Sequence, residues 1–170
     1  MIKIGLLSDT HGWLEERVFH HFADCDEIWH AGDIGEVALT DKLAAFKPLR
    51  AVYGNIDGGV LRRIFPEDLH FEVAGLSVYM THIGGYPGKY PARVFSQLLD
   101  QKPGLFICGH SHILKVMPDR QLNLLHINPG AAGNHGFHKV KTLIRFEIKE
   151  GKIQNLQAIE LGPRSGAETA

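Results

Sequence analysis

The sequence predicts an α/β fold in which two mixed β-sheets pack as a sandwich with helices on the outside. From Ile2 to Tyr53, short apolar runs alternate with amphipathic stretches, in the βαβαβ order that favours parallel strands. After residue 66, only two residues separate the apolar runs Leu69–Val73 and Leu76–Met80, a spacing that a hairpin can turn and a helical crossover cannot. The chain has 170 residues, of which 44% are hydrophobic and 22% charged, as is typical of one domain.

Three strands and two helices are predicted in the first part of the chain. Apolar residues four apart at Leu14, Val18 and Phe22 mark the buried face of a first helix. A second helix is predicted over residues 37–46, where Leu39, Leu43 and Phe46 supply the apolar face. The apolar runs that we assign to strands are Ile2–Leu7, Ile28–Trp29 and Arg50–Tyr53.

Antiparallel hairpins are predicted in the second part. Ala74 and Gly75 separate two runs, and a proline in the first turn predicts a helix over Pro91–Leu99. The predicted strands are Leu69–Val73, Leu76–Met80, Leu105–Cys108, Ile113–Met117, Leu122–Ile127, Leu143–Ile148 and Ile153–Leu161. We therefore expect a single domain over residues 1–161 and a small, polar, disordered tail over residues 162–170.

Charge and composition exclude several classes of partner. Lysine and arginine number 18 against 19 acidic residues, with no long run of one sign, so we expect no extended nucleic-acid footprint. The chain start lacks a signal-peptide core, and no apolar run approaches the length of a membrane span. Cys25 and Cys108 form no CxxC pattern, which favours a reducing compartment. These features predict a cytoplasmic protein and leave a homo-oligomer open.

Five strand-like runs end in a small residue or turn followed by a potential metal ligand. The carboxyl ends of strands in α/β sheets meet at one edge, so these residues can converge. Within the set, Asp9 with His11 and His110 with His112 are i, i+2 pairs, which extended backbone would project to one side. Oxygen and imidazole donors without thiolate favour a hydrolytic pair of Mn, Fe, Zn, Ni or Co ions. The candidate ligands are Asp9, His11, Asp33, Asn55, His82, His110 and His112.

The charge of such a centre indicates its substrate. Two divalent cations bring more charge than Asp9, Asp33 and a bridging hydroxide neutralise, so a net charge of about +1 remains to meet a phosphate oxygen. A small phosphate ester is the expected substrate.

From Ile2 to about Gly130 the chain resembles the calcineurin-like metallophosphoesterase superfamily, and specifically its small bacterial and archaeal phosphodiesterase branch. The family's D-x-H, G-D, G-N-H-[DE], histidine and G-H-x-H motifs are matched in order by Asp9-Thr10-His11, Gly32-Asp33, Gly54-Asn55, Thr81-His82 and Gly109-His110-Ser111-His112. The two-sheet sandwich of that family agrees with the fold predicted above from the residues.

The resemblance implies a metal-dependent phosphodiesterase with two divalent transition-metal ions, Mn first among them, and a metal-bridging hydroxide as nucleophile. One ion would be held by Asp9, His11 and His112, the other by Asn55, His82 and His110, and Asp33 would bridge both. Asp33, Asn55 and His82 would also be the catalytic residues.

Two other functions compete with this one. The superfamily includes non-catalytic scaffold or binding modules of this size with degraded sites, although all seven candidate ligands are chemically competent in this chain. A two-metal hydrolase of another bond lacks any matching motif.

Ile56 departs from the family pattern, because the larger enzymes have a histidine there that acts on the leaving group or substrate oxygen. An isoleucine cannot transfer a proton. The next residue, Asp57, is retained, and it could orient its neighbours, act as a weak substitute acid, or hydrogen-bond its own turn.

Further residues could support the site from outside the ligand set. His30 leads into Asp33 and could orient it or be purely structural. Gly84, Gly85 and Tyr86 could form a lip with Tyr86 as a stacking face, or a plain loop. Beyond the motifs, His135 and His138 could reach a substrate.

Overall fold

The computed structural model describes residues 1–165 and consists of ten strands and four helices within that range. In chain order these are β1 (Ile2–Leu7), α1 (Arg17–His21), β2 (Glu27–His30), α2 (Val37–Phe46), β3 (Leu49–Ala51), α3 (Gly59–Ile64), β4 (Asp68–Val73), β5 (Leu76–Thr81), α4 (Ala92–Gln101), β6 (Leu105–Ile107), β7 (Leu114–Asp119), β8 (Leu124–Pro129), β9 (Val140–Lys149) and β10 (Lys152–Pro163).

The strands form two five-stranded mixed sheets. The first has the order β10-β9-β1-β2-β3, with β1, β2 and β3 parallel as the βαβαβ pattern predicted. The second has the order β4-β5-β6-β8-β7, in which β5, β6 and β8 are parallel and the outer strands pair antiparallel. The predicted sandwich of mixed sheets is confirmed.

The main core lies between the sheets. Trp29 of β2 is fully buried and makes edge-to-face contacts with Phe71 of β4 and Phe146 of β9, so one ring joins both sheets. Burying one such large apolar side chain stabilises the fold by about 1.5–3 kcal/mol. The outer faces are covered by helices, as Val18 of α1 packs on the first sheet and Val94 of α4 on the second.

Three details differ from the sequence predictions. The first helix is only Arg17–His21, so Leu14 and Phe22 pack in the core from outside it. Helix α3 was not predicted, since six residues beginning at a glycine carry too little periodicity. Strand β10 continues to Pro163 by pairing with Val140, so the predicted tail does not begin at residue 162. Residues 166–170 of that tail lie outside the described residues.

None of the helices within residues 1–165 is long and apolar enough to cross a membrane.

Candidate metal centre

The candidate ligands lie where strands of both sheets end. Asp9 and His11 follow β1, Asp33 follows β2, and Asn55 follows β3 in the first sheet. The remaining ligands follow two neighbouring parallel strands of the second sheet, His82 after β5 and both His110 and His112 after β6. Packing the sheets face to face brings these ends to one side of the sandwich.

The side chains form two adjacent groups. Ligand atoms of Asp9, His11 and His112 lie within 4.8 Å of one another, and so do those of Asp33, His82 and His110. Asn55 joins the second group, because its Oδ1 lies 3.1 Å from Nδ1 of His110. The division agrees with the one implied by the resemblance.

Asp33 lies between the two groups. Its Oδ2 is 3.4 Å from Nε2 of His11, and its Oδ1 is 3.2 Å from Nε2 of His82. Burial by itself raises the pKa of Asp33, but the contacts with both imidazoles outweigh it and hold the pKa of this carboxyl well below its usual range. In turn, Asp33 raises the pKa of His11. The carboxylate therefore stabilises positive charge at both ligand groups.

Three buried atoms of the centre have no hydrogen-bond partner among residues 1–165: Oδ1 of Asp9, Nε2 of His11 and Nε2 of His82. Leaving such an atom unsatisfied costs about 1–3 kcal/mol. All three are donor atoms of the kind that divalent transition-metal ions accept, and the two histidine atoms lie within 3.9 Å of Oδ1 of Asp9. The residues present therefore fit a metal centre.

Two of the imidazoles are oriented by contacts of the ring nitrogen that points away from the centre. Nδ1 of His82 lies 2.8 Å from the carbonyl of Ala31, which places the proton on Nδ1 and leaves Nε2 as the acceptor. Nδ1 of His112 lies 3.3 Å from Nδ1 of His138, whose Nε2 lies 2.7 Å from the carbonyl of Gly133. If His138 donates to that carbonyl, its Nδ1 accepts from His112, and Nε2 of His112 is left facing Asp9.

Backbone geometry at the centre corrects one prediction. The i, i+2 pairs were expected in extended backbone, but Asp9, His11, His110 and His112 all have left-handed φ values, from 48° to 72°. Asp33, at 54°, shares this conformation. Each such residue costs about 1–3 kcal/mol and persists only where its surroundings hold it.

Backbone hydrogen bonds between the loops after β1 and β2 provide part of that support. The Asp9 amide donates to the Gly32 carbonyl over 2.9 Å, and the His11 amide donates to the Asp33 carbonyl over 3.0 Å. The two loops therefore hold each other's ligands in the strained conformation.

Glycines make room for the ligand side chains. A Cβ at position 54 would lie 2.1 Å from Oδ1 of Asp33, and one at position 32 would lie 2.6 Å from Nδ1 of His82. Gly32 also has a φ of 102°, so this glycine both allows the chain to turn and leaves room for the His82 ring.

Comparison with known proteins identifies the family of this chain. The sequence profile of the calcineurin-like phosphoesterase superfamily domain matches residues 2–151. The chain belongs to this superfamily. Membership assigns phosphoester hydrolysis and divalent metal binding as the general chemistry, and it confirms the resemblance inferred from the motifs.

Individual relatives agree with that assignment. A probable metallophosphoesterase of Methanothermobacter thermautotrophicus is 29% identical over 137 residues, 75% of this chain and 76% of the relative. Among solved structures, an archaeal phosphodiesterase superposes with a TM-score of 0.76 at 22% identity, covering 94% of this chain and all of the other. Wild-type Vps29 of Entamoeba histolytica, complexed with Zn2+, has a TM-score of 0.68 at 14% identity, covering 94% and 99%. These two structural likenesses show the fold.

Asp57 has an orienting position in this member of the superfamily. Its Oδ2 accepts hydrogen bonds from the amides of Gly54 (2.7 Å) and Ile34 (3.1 Å), and its Oδ1 accepts one from Gly35 (2.9 Å). The buried carboxylate thus joins the loop bearing Asp33 to the loop bearing Asn55. With both oxygens engaged as acceptors, Asp57 is poorly placed to act as the substitute acid.

His30 likewise connects loops of the centre. Its Nε2 lies 2.9 Å from the hydroxyl of Thr10, and its Nδ1 accepts a hydrogen bond from the Gly32 amide over 3.1 Å. The Thr10 hydroxyl donates to the Ile34 carbonyl, so it accepts from His30. Complete burial lowers the pKa of His30 to about 4, which keeps the ring neutral at pH 7.

The remaining candidates occupy other positions. Tyr86 is half-buried, and the Lys115 ammonium lies 4.9 Å from the centre of its ring. The exposed ring of His135 lies 4.8 Å from that of His11. A cleft beside Asn55 is lined by Tyr53 and Arg62, which no sequence motif indicated, although Tyr53 directly precedes the Gly54-Asn55 motif.

Proposed function

We propose that the protein is a phosphodiesterase with a dinuclear metal centre. The observation that carries the proposal is Asp33, whose two carboxylate oxygens each face one of two ligand groups. The proposed ligands of the first ion are Asp9, His11 and His112, those of the second are Asn55, His82 and His110, and Asp33 is shared.

Two divalent ions held by these residues, for which we propose Mn2+ ahead of Ni, Fe, Zn or Co, would supply a hydroxide nucleophile and would neutralise charge on the phosphate. The chain's own residues fix the geometry for this chemistry. His82 is held by Ala31, and the Ile56 amide donates to Oδ1 of Asp33 over 3.1 Å. A preorganised site of this kind needs little rearrangement as charge develops in the transition state.

The expected preference for good leaving groups follows from the loop after β3. Ile56 carries no proton that it could transfer, and both oxygens of Asp57 accept backbone hydrogen bonds. This loop therefore supplies no general acid for the leaving group. Esters whose leaving groups depart without protonation, such as aryl phosphodiesters, are the expected substrates.

Hydrolysis assays with Mn2+-loaded and chelated protein test the proposal. We expect bis(p-nitrophenyl) phosphate to be cleaved faster than a simple alkyl phosphate monoester, and we expect chelation to abolish both activities. Failure to hydrolyse any diester with metal bound would instead favour the scaffold function of the same fold.

A further inference from the structure

A cleft of about 350 Å3 opens beside the second ligand group. Asn55 and His82 form the end of the cleft nearest the centre. Its lining also includes Tyr53, Arg62, Glu67 and Arg93. The volume is at the lower end of the range for small-molecule sites, which suits one ester group rather than a polymer.

Backbone carbonyls and an aromatic ring hold Arg62 in the lining of this cleft. Its Nε donates to the Asp57 carbonyl over 2.7 Å, and its Nη2 donates to the Asn55 carbonyl over 3.3 Å. The guanidinium carbon lies 4.6 Å from the centre of the Tyr53 ring. No carboxylate within residues 1–165 forms an ion pair with Arg62. A planar cation fixed by two carbonyls therefore lies against an aromatic ring.

Arg93 differs from Arg62, because it is neutralised. Its guanidinium lies 2.6 Å from Oδ2 of Asp68 and 3.2 Å from Oε1 of Glu67, and it donates to the Thr81 hydroxyl over 3.3 Å. Glu67 also accepts a hydrogen bond from the Tyr53 hydroxyl over 3.3 Å. Arg93 faces two carboxylates, so this group of side chains has both donors and acceptors and a net charge of about −1.

We propose that the cleft binds the non-leaving ester group of the phosphodiester, and that this group is a planar heteroaromatic ring stacked on Arg62. The inference rests on the proposed function, since it places the phosphate at the neighbouring centre. A guanidinium supported by Tyr53 is a stacking surface for such a ring. Glu67 and Arg93 face its hydrogen-bonding edge, and half-exposed Ile83 adds apolar contact.

Two diesters with the same p-nitrophenolate leaving group test the proposal. One carries thymidine as its second ester group and the other carries methyl, so they differ only in what the cleft would bind. We expect kcat/KM of the Mn2+-loaded enzyme to favour the thymidine ester by about tenfold, the lower end of what stacking contributes. In Arg62→Gln that ratio should fall about tenfold, mainly through KM. The matched control is Arg63→Gln, the next residue on α3, which should leave the ratio unchanged.

A binding measurement on chelated protein separates this inference from the proposed function. Thymidine, which carries no phosphate to be repelled by the metal-free carboxylates, should shift the NMR signals of the Asn55 and Arg62 backbone amides in the wild type, and about tenfold more ligand should be needed in Arg62→Gln. If the NMR shifts depend on Arg62 but the protein cleaves no diester, ring binding in the cleft would be supported and the proposed phosphodiesterase function would be refuted. Two results would refute ring binding in the cleft: diester cleavage without preference for the thymidine ester, or an equal loss of kcat/KM on both esters in Arg62→Gln. Either result would leave the proposed phosphodiesterase function unaffected.

Discussion

The Nδ1 atoms of His112 and His138 lie 3.3 Å apart, so His138 stands behind a proposed metal ligand. The other ring nitrogen of His138, Nε2, lies within hydrogen-bond distance of the Gly133 carbonyl. Burial lowers the pKa of His138, which favours the neutral ring that this arrangement requires. His138 is therefore a positioning residue for His112, although its place in the sequence suggested a contact with substrate.

Removing His138 should weaken the first metal site. We expect His138→Ala to lower affinity for one of the two ions by about 10–100-fold, the usual effect of losing such a partner. In His138→Asn an amide oxygen can accept from His112, so affinity should recover in part. Calorimetric metal titration measures both effects, with the fully exposed Phe137 of the same loop, changed to alanine, as the control. Equal losses in the asparagine and alanine variants would argue against an orienting hydrogen bond.

Asp33→Asn should affect both ions at once. The substitution keeps the shape of the side chain but removes the negative charge that faces His11 and His82. We expect both affinities to fall and diester hydrolysis to drop by more than about a hundredfold, exceeding the loss in His11→Asn. Parallel metal titrations and rate measurements on the two variants decide the comparison. A near wild-type Asp33→Asn enzyme would show that the site is assigned wrongly.

Rates across aryl phosphodiesters should depend steeply on the pKa of the phenol, because Ile56 offers no proton to a poor leaving group. General-acid assistance is worth about 10²–10⁴-fold where it is present. The Ile56 side chain is 47% exposed, so a histidine has room there, and Ile56→His should help the poorest leaving groups most. Val60→His, on a similarly exposed residue of α3, is the control. A flat dependence with chemistry rate-limiting would mean that another residue supplies the proton.

The free energy of unfolding should fall as pH decreases from about 6.5 to 4, in part through His30. The folded-state pKa of about 4 lies below the unfolded value, so the unfolded chain binds the extra proton in this window. The neutral ring therefore stabilises the fold above pH 6.5, and this contribution is lost as pH falls through 4. Urea unfolding of His30→Gln should show a pH slope shallower by up to about 1.4 kcal/mol per pH unit. A slope identical to that of the wild type in His30→Gln would refute this account.

The sequence predicted the ligand groups because each ligand follows an apolar strand by a few residues. The parallel order of β1 and β2 then places Asp9 and Asp33 on the same edge of the sheet. It could not predict that Asp9 and Asp33 adopt left-handed backbone, since that conformation depends on hydrogen bonds between loops.

Contacts between distant segments were likewise beyond the sequence. His138 reaches His112 across 26 residues through a loop without periodicity. Arg62 meets Tyr53 only because the short helix α3 folds back over the turn at Asn55. The strands were predictable because their apolar runs are local, whereas these pairs form only when the sandwich closes.

Metal content at saturation tests the dinuclear centre most directly. Purified protein is chelated, dialysed against excess Mn2+, freed of unbound ion and assayed for metal per chain and for aryl diester hydrolysis. The two ligand groups sharing Asp33 predict about two ions per chain, with activity lost on chelation and restored by Mn2+. At most one ion per chain, with no hydrolysis of any diester, would contradict the account.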